Sequence, residues 1–508
     1  MEGLKVTFQL MLCRKINLKM KKSYKFPKLL IVSAVLLVIG CEKDLETLPT
    51  DRFASENIAA SADGVKSVLF SAYNTNNRGD LWKDVIMENE VSTDIGYNTG
   101  GNENRDLIQF INFTVDASSG RIQYLWNQSY FTIRDANIVL ESLEAGDFDP
   151  DFEKEISAEA RYLRAFEYAS LYNYFGEIPL RTSSTQEGDL PRASAEDIRA
   201  FIETELIDVA ADLPAPGEEQ YFGRANKGQA LGVLTKFYLN TKQWQKAVNA
   251  SKQLMDLNYY ELYPTYREMF FIENEQNREM IVAWSSINQG GPDSSWFQNG
   301  AFPPGFKRAP NIPEFVFVNG QMKNWATQYR LQDAFVDSFD PDDARLQGIV
   351  QVYEKMNGQM VNLRDNPDDS RSLKFFDQDA LQNDTGNDQI IIRYADILLS
   401  RAEALNHVNG GPTQEAIDLV NQVRKRSNLD GYSLAEAGNE KNFNTLILQE
   451  RGWEFYTEGK RREDLIRNDV YISNAQARGK NAKDYQVFFP IPQQELNSNP
   501  ALTQNEGY

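Results

Sequence analysis

Residues 393–427 read RYADILLSRAEALNHVNGGPTQEAIDLVNQVRKRS. Apolar residues recur there every three or four positions on both sides of the Asn-Gly-Gly-Pro turn at 409–412, which predicts two amphipathic helices, 394–407 and 413–427. A second hairpin of the same kind is predicted at 227–257. Each hairpin is close in length to a tetratricopeptide unit of about 34 residues, and such a pair buries its apolar face only by stacking on neighbours. We therefore predict a mainly α-helical fold with a tetratricopeptide-like scaffold of helical hairpins.

Two long segments lack this helical periodicity. Segment 285–387 is rich in Gly, Pro, Asn, Asp and aromatic residues, and segment 80–116 has a similar composition. Because a long irregular segment inside a compact domain is usually functional, we predict that these two form a loop-rich, aromatic-rich ligand-binding face on the scaffold. Further helices are predicted at 122–143, 151–175 and 198–213. Short strands are predicted at 281–284, 348–353 and 390–393.

The N-terminus has the features of an export signal. The first 40 residues contain eight Lys or Arg and one acid, and an uncharged apolar run at 29–39 precedes Gly40-Cys41. This pattern predicts a secretory signal that is too short to span a membrane comfortably. Val38-Ile39-Gly40-Cys41 resembles a bacterial lipobox, so lipidation at Cys41 is predicted; the alternative is an ordinary signal peptide with a chance Cys. Met20-Lys21-Lys22 looks like the true start, which makes 1–19 an over-annotated start and 20–40 the lipoprotein signal peptide.

Composition excludes several classes of function. The net charge of −20 argues against a nucleic-acid partner, because phosphate affinity depends on clustered Lys and Arg. The chain has one histidine, His407, so a multi-His zinc site is excluded and a Ser-His-Asp triad would need His407 as its base. His407 ends a predicted helix, where a cap or surface residue is expected. The acidic loops 340–343 and 365–369 could hold calcium but lack the spacing of a calcium loop, so no cofactor is predicted.

Motifs in nearly the whole mature chain resemble one family. They are WxxxYxxIxxAN at 126–137, RYLRA at 161–165, YxYFGEIPL at 172–180, RYADILLSRAEA at 393–404, NxVRxR at 421–426, the Glu- and Arg-rich run 450–467, and the ending 489–508 with its FPIP and NEGY. These motifs in this order resemble the SusD/RagB family of Bacteroidetes outer-membrane nutrient-binding lipoproteins. Gly452 and Glu506 depart from the family pattern, which usually has a bulkier residue and a Pro at these positions.

The resemblance implies both an organisation and a function. It implies a SusD-like N-terminal part at 41–223 and a SusD/RagB C-terminal part at 224–508, which ends in a stiff tail, 488–508. It implies a lipid-anchored protein on the outer face of the outer membrane that captures oligosaccharides and is not an enzyme. The implied partner is a SusC-like TonB-dependent transporter, on which the protein acts as a lid. Glu42-Lys43-Asp44 resembles the acidic surface-export signal of such lipoproteins.

A surface glycoside hydrolase is the alternative function, since a pair of carboxylates suffices for that chemistry. The acids of the 450–467 motif, Glu450, Glu454 and Glu458, are spaced on successive helical turns, and Arg461, Arg462 and Arg467 are spaced to answer them. An adjacent Arg lowers the pKa of a carboxyl group, whereas a general acid needs a raised one. We therefore interpret these acids as structural.

The candidate ligand residues are aromatic and amide side chains in the two loop segments. Sugars stack their apolar C–H faces on aromatic rings and are oriented by amide groups. Stacking is predicted for Tyr97, Trp296, Trp325 and Tyr329, and polar contact for Asn98, Asn299 and Gln328. For Phe297, Phe302 and Phe306, a small core beneath the loop is at least as well supported.

Overall fold

The computed structural model describes residues 61–77, 86, 88–98, 100–101, 104–186, 188–290, 294–295, 297–326 and 329–508. The signal region and Cys41 lie outside these residues, as do Trp296 and Gln328. The described residues all lie within one compact unit of the chain. In this part of the chain, no helix is both long and apolar enough to cross a bilayer.

Helices make up most of the described structure. They are α1 (Ala62–Asn76), α2 (Asn104–Asn112), α3 (Gly120–Ala145), α4 (Pro150–Phe175), α5 (Ala195–Asp212), α6 (Lys227–Asn240), α7 (Trp244–Met255), α8 (Phe297–Ala301), α9 (Asp333–Val336), α10 (Tyr394–Asn409), α11 (Gln414–Arg426), α12 (Leu434–Ala437), α13 (Glu440–Phe455), α14 (Arg461–Arg467), α15 (Tyr471–Ala477) and α16 (Gln493–Ser498). Short 3-10 helices occupy Glu268–Phe270, Ile272–Asn274, Ala344–Gly348, Leu363–Asp365 and Asp484–Val487.

Most of the long helices pack on the helix that follows them. Helix α3 packs on α4, α4 on α5, α5 on α6, α6 on α7, α7 on α10 and α10 on α11, while α1 packs on α3. The predicted hairpins are α6–α7 and α10–α11, and Gly410 ends α10 in the left-handed conformation that favours glycine. Ala247 and Ala416 are buried at the starts of the second helices, where small side chains let paired helices approach. The mainly α, tetratricopeptide-like fold is therefore confirmed.

The strands are short and all pair antiparallel. They are β1 (Gly96–Tyr97), β2 (Met280–Trp284), β3 (Phe306–Arg308), β4 (Arg330–Leu331), β5 (Ile349–Val350), β6 (Val352–Lys355), β7 (Met360–Asn362), β8 (Arg371–Ser372) and β9 (Gln389–Arg393). The pairs are β1 with β4, β2 with β9, β5 with β8, and β3 with β6, which also pairs with β7. Strand β9 runs directly into α10, so the sheet β2–β9 connects the loop segment 285–387 to the helical scaffold.

The buried aromatic residues of the long loop segment belong to the main hydrophobic core of the described residues. Phe302, Phe306 and Phe315 are buried, and the ring of Phe302 lies 5.3 Å from that of Phe306 and 5.6 Å from that of Phe315. Phe297 is also buried, against Tyr329 at 5.1 Å between ring centroids. Phe297, Phe302 and Phe306 are therefore core residues, but they join the main core and do not form a small core of their own. Their packing explains how so long a segment keeps a defined shape.

Buried ion pairs connect the C-terminal helices to the strands. The carboxylate of Glu454 accepts hydrogen bonds from Arg345, Arg393 and Arg426, and Glu458 pairs with Arg393. All these side chains are nearly inaccessible to solvent, so each charge depends on its partners.

Arg461, Arg462 and Arg467 are expected from the sequence to pair with Glu450, Glu454 and Glu458. The structure gives these arginines other partners. Arg461 binds Asp94, Arg462 donates to the carbonyl of Val487, and Arg467 binds Glu403 and Asp464. The structural interpretation of the motif holds, but apart from the pairs that Asp464 makes with Arg467 and Arg451, most of its partners come from other elements.

Candidate ligand-binding site

The two loop segments meet through a short strand pair. Tyr97 in β1 lies opposite Arg330 in β4, and the side chain of Gln332 donates to the backbone carbonyls of Thr93 and Gly96. Tyr97 is half-buried. The structure therefore brings the segment that carries Tyr97 next to the one that carries Trp325, as the shared ligand face requires.

Trp325 is held by an amide-rich loop. Its indole Nε1 donates to Asn383 Oδ1 at 3.0 Å, and its backbone N–H donates to the carbonyl of Asn299 at 2.9 Å. The side chain is half-buried, so part of the ring remains open to solvent. A tryptophan fixed at its polar edge and partly exposed has the properties of a stacking platform for a sugar.

Asn98 and Asn299 shape the loops from inside. Asn98 is buried, and its Oδ1 accepts from the backbone N–H of Gly100 at 3.0 Å. Asn299 is fully buried in α8 and donates from Nδ2 to the carbonyl of Asn383 at 2.6 Å. The prediction that they contact ligand directly is not supported by this burial. Their side chains instead hydrogen-bond to the backbone of Gly100 and Asn383, in the loops that flank Tyr97 and Trp325.

The prediction of Tyr329 as a stacking platform is wrong. Its side chain is 0% exposed, its ring packs on Phe297, and its hydroxyl donates to the carboxylate of Glu90. The backbone N–H of Tyr329 donates to the carbonyl of Gly300 at 3.2 Å. A ring enclosed on all sides cannot stack on a sugar, so Tyr329 anchors the loop rather than the ligand.

Glu90 is a buried acid that the sequence gives no reason to single out. Its carboxylate accepts from Tyr329 and from the backbone N–H groups of Thr457, Glu458 and Gly459. Burial raises the pKa of Glu90 to about 7, although these hydrogen bonds oppose the shift. Glu90 joins the Tyr329 loop to the turn after α13, which explains its burial.

The 450–467 motif is unsuited to acid catalysis. Burial alone would raise the pKa of Glu454, but Arg426, Arg393 and Arg345 hold it well below its usual range. Arg393 and Lys374 likewise lower the pKa of Glu458 against the effect of burial. These acids remain charged at neutral pH and are covered by their partners, as expected of structural ion pairs.

A second carboxyl pair, Glu275 and Asp388, does have raised pKa values. Burial is the main cause for both, and mutual repulsion adds to the shift of Glu275. The backbone N–H of Asp388 donates to Glu275 Oε1 at 2.7 Å. However, the cavity beside the pair has a volume of only about 10 Å³, which is at the limit for one water molecule. A cavity of this size does not admit a sugar ring.

His407 has a structural environment. It lies in the last turn of α10, where its Nδ1 is 2.9 Å from Glu440 Oε1 and its ring stacks on Trp244 at 4.1 Å between centroids. Both contacts fix the imidazole where α10 meets α7 and α13, which agrees with the interpretation of a residue at a helix end.

The acidic loops considered for calcium use their carboxylates internally. Asp343 pairs with Arg345, and Asp369 pairs with Arg330 and Arg371. Among the residues that the structure describes, no group of three or more His, Cys, Asp or Glu side chains is arranged to hold a metal ion.

Comparison with known families matches both ends of this architecture. Residues 345–508 match the model of the SusD family, and residues 45–239 match a family described as starch-binding and associating with the outer membrane. The chain belongs to the SusD family. This confirms the resemblance found in the motifs at 126–137, 161–180 and 393–508.

Individual relatives of this SusD-family chain cover almost its whole length. SusD-like protein P25 of Formosa agariphila is 25% identical, over 94% of this chain and 98% of its own. The starch-binding protein SusD of Bacteroides thetaiotaomicron is 24% identical, over 80% of this chain and 82% of its own. Among solved structures, a laminarin-binding SusD-like protein has a TM-score of 0.73 and 23% identity, and covers 87% of this chain and 99% of its own. The last likeness shows the fold.

Proposed function

We propose that this protein binds a glycan with the face formed by segments 80–116 and 285–387, and does not hydrolyse it. The observation that carries the proposal is the half-buried Trp325, whose indole is held by Asn383 beside the strand pair that contains Tyr97. Its family membership supports a glycan as the ligand, because relatives include proteins named for binding starch and laminarin. Flat aromatic surface among neutral amides suits an uncharged sugar.

The proposal includes anchoring in the outer membrane and a transporter as partner. The lipobox predicts acylation at Cys41, which lies outside the described residues, and the acids after it favour export to the cell surface. One acyl chain binds a membrane weakly, so stable anchoring requires more than one. From this position the protein delivers oligosaccharides to a SusC-like TonB-dependent transporter and acts as its lid. Family membership supports this role, and a mild-detergent pull-down that recovers a large outer-membrane barrel is its test.

The test separates glycan binding from glycan hydrolysis. The purified mature chain is run through native gels that contain laminarin, starch or xylan, and the same polysaccharides are incubated with it and assayed for reducing ends. The proposal predicts retardation in at least one gel and no increase in reducing ends. Release of reducing ends would favour the glycoside hydrolase. No retardation in any gel, from a chain that gives a cooperative melting curve, would contradict glycan binding.

A further inference from the structure

A second aromatic groove lies outside the residues considered so far. It has a volume of about 420 Å³ and runs between the end of α1, the loop before α6 and the end of β2. Tyr221 and Phe70 line it and are 64% and 47% exposed, so both side chains are largely open to solvent. Ile287, on the loop after β2, is also exposed. Neither Tyr221 nor Phe70 is needed for the core.

The walls of this groove are fixed by buried hydrogen bonds. The hydroxyl of Tyr73 donates to Glu159 Oε2 at 2.7 Å and accepts from the backbone N–H of Ala225 at 2.8 Å, which ties α1 to the loop before α6. At the floor, Trp284 Nε1 donates to Asn76 Oδ1 at 2.9 Å. Because these contacts are already formed, a ligand would meet a preorganised surface and would not pay to order it.

The chemistry of the groove suits an uncharged ligand. Of the described residues that line it, Arg224 alone is charged, and its guanidinium is neutralised by Glu159 and Glu155. Two of the polar side chains that line it are amides: Asn74 is exposed, and Asn77 is half-buried with its Nδ2 donating to the carbonyl of Ser285. Exposed rings with amide partners are the combination that binds the apolar faces and hydroxyls of sugars.

Two loops in contact connect this groove to the Trp325 site. Ser285 and Ile287 line the groove, and the next residue, Asn288, donates to Asp377 Oδ2 and to the carbonyl of Asp379, each at 3.3 Å. Asp377 and Asp379 belong to loop 377–388, which also supplies Asn383, the acceptor of the hydrogen bond from the Trp325 indole. The groove and the Trp325 site are therefore linked through two loops that contact each other.

We propose that the groove of Tyr221 and Phe70 is an accessory carbohydrate subsite, which binds further units of the glycan chain that is held at Trp325. The inference rests on the proposed function and extends it to a substrate class: oligosaccharides long enough to reach both surfaces. Its consequence is a preference for long chains over short ones, since only a long chain gains the second set of contacts.

The test compares chain lengths on variants of the full mature protein. Calorimetry uses oligosaccharides of the polysaccharide that is retained among laminarin, starch and xylan, from the disaccharide to long oligomers. Tyr221→Ala is expected to weaken binding of the long oligomers by about tenfold, the change that corresponds to a loss of 1.4 kcal/mol. Binding of the shortest bound oligomers should change by less than about twofold, and Tyr221→Phe should retain the preference for length, because it keeps the ring.

The controls separate this inference from the proposed function. Phe131→Ala removes a ring that is 42% exposed on α3 and lines another cavity, so it should change no affinity. If Trp325→Ala weakens all lengths while Tyr221→Ala and Phe70→Ala change none, the subsite is contradicted and the proposed function stands. If Phe131→Ala reproduces the loss for long chains, the subsite is misplaced. If the wild-type chain retains no glycan of the panel, the proposed function fails and the subsite with it.

Discussion

The buried hydroxyl of Tyr329 donates a hydrogen bond to the carboxylate of Glu90. The two residues are 239 positions apart in the chain. Glu90 also accepts three backbone N–H groups from residues 457–459, so one carboxylate joins the loop after Trp325 to the end of α13. The relationship gives the proposed ligand face a rigid support, and a preorganised face would lower the entropy cost of binding.

Removal of this hydrogen bond should destabilise the protein. Tyr329→Phe leaves Glu90 buried with one donor fewer, and we expect a loss of about 1–3 kcal/mol in the free energy of unfolding. Urea denaturation followed by fluorescence measures it. Tyr221→Phe is the matched control, because its hydroxyl lies on an exposed ring, and it should stay within about 0.5 kcal/mol. Equal stability of Tyr329→Phe and wild type would show that the bond contributes nothing.

The buried ion pairs of Glu454 predict a larger loss in the free energy of unfolding. Glu454→Gln leaves Arg345, Arg393 and Arg426 without the charge that they share, and breaking a buried pair by removing one partner typically costs about 3–5 kcal/mol. Glu144→Gln alters an exposed acid on α3 and should change stability by less than about 0.5 kcal/mol. The two variants are compared by urea denaturation at neutral pH. A Glu454→Gln protein as stable as Glu144→Gln would refute the structural role of the motif.

Glu275 and Asp388 predict a pH dependence of stability. Their pKa values are raised in the folded state by burial, and those of the unfolded chain lie near 4, so above about pH 4 the folded protein binds more protons. Repulsion from Asp377 and Glu273 adds to the shift of Glu275. The contribution of the pair to stability is therefore fully present below pH 4 and is lost as the pH rises through the folded pKa values, by up to about 1.4 kcal/mol per pH unit for one extra proton.

Asp388→Asn removes the repulsion and isolates this effect. Its amide oxygen can still accept from Ser286, and we expect its unfolding free energy to fall less steeply than that of wild type between about pH 5 and pH 8. Asp379→Asn is the control: it alters an exposed carboxylate in the same loop and should follow the wild-type curve. Urea melts at several pH values give the slopes. Parallel curves for Asp388→Asn and wild type would show that the pair does not hold the additional proton.

The helical scaffold is predictable because the sequence signals for each helix lie within the helix and its flanking turns. The predicted helix 394–407 corresponds to Tyr394–Asn409, since its period of 3.6 and the turn at Gly410 both lie within one short stretch. The strand predicted at 281–284 corresponds to Met280–Trp284, because a short apolar run marks it in the sequence. Where periodicity and turn residues agree, the boundaries differ by no more than two residues at these elements.

The ligand face is harder to predict because its residues depend on distant partners. Tyr329 and Trp325 have the same polar, irregular surroundings in the sequence, yet one is enclosed by Glu90 and Phe297 and the other is half-open. The partners of Glu454 likewise come from β9 and α11, outside the reach of helical spacing. Exposed rings such as Tyr221 carry no local signal, because exposure is set by what other segments leave uncovered.

The lipid anchor predicts a change of location. Cys41→Ala removes the only thiol at the end of the signal region, so the chain should no longer incorporate labelled palmitate and should be lost from the outer-membrane fraction. Labelling of intact cells with a surface biotin reagent, followed by fractionation, checks both effects. Surface labelling of the Cys41→Ala protein at the wild-type level would contradict anchoring at this residue.

The most direct measurement is the affinity of Trp325→Ala for the glycan that the wild-type chain retains. Calorimetry on the purified mature protein should show a loss of roughly 1–3 kcal/mol of binding free energy, because a central aromatic anchor is removed from the face. The melting temperature should stay close to that of wild type, since the ring is only half-buried. A Trp325→Ala protein that is folded and binds the glycan as tightly as wild type would contradict the assignment of this face.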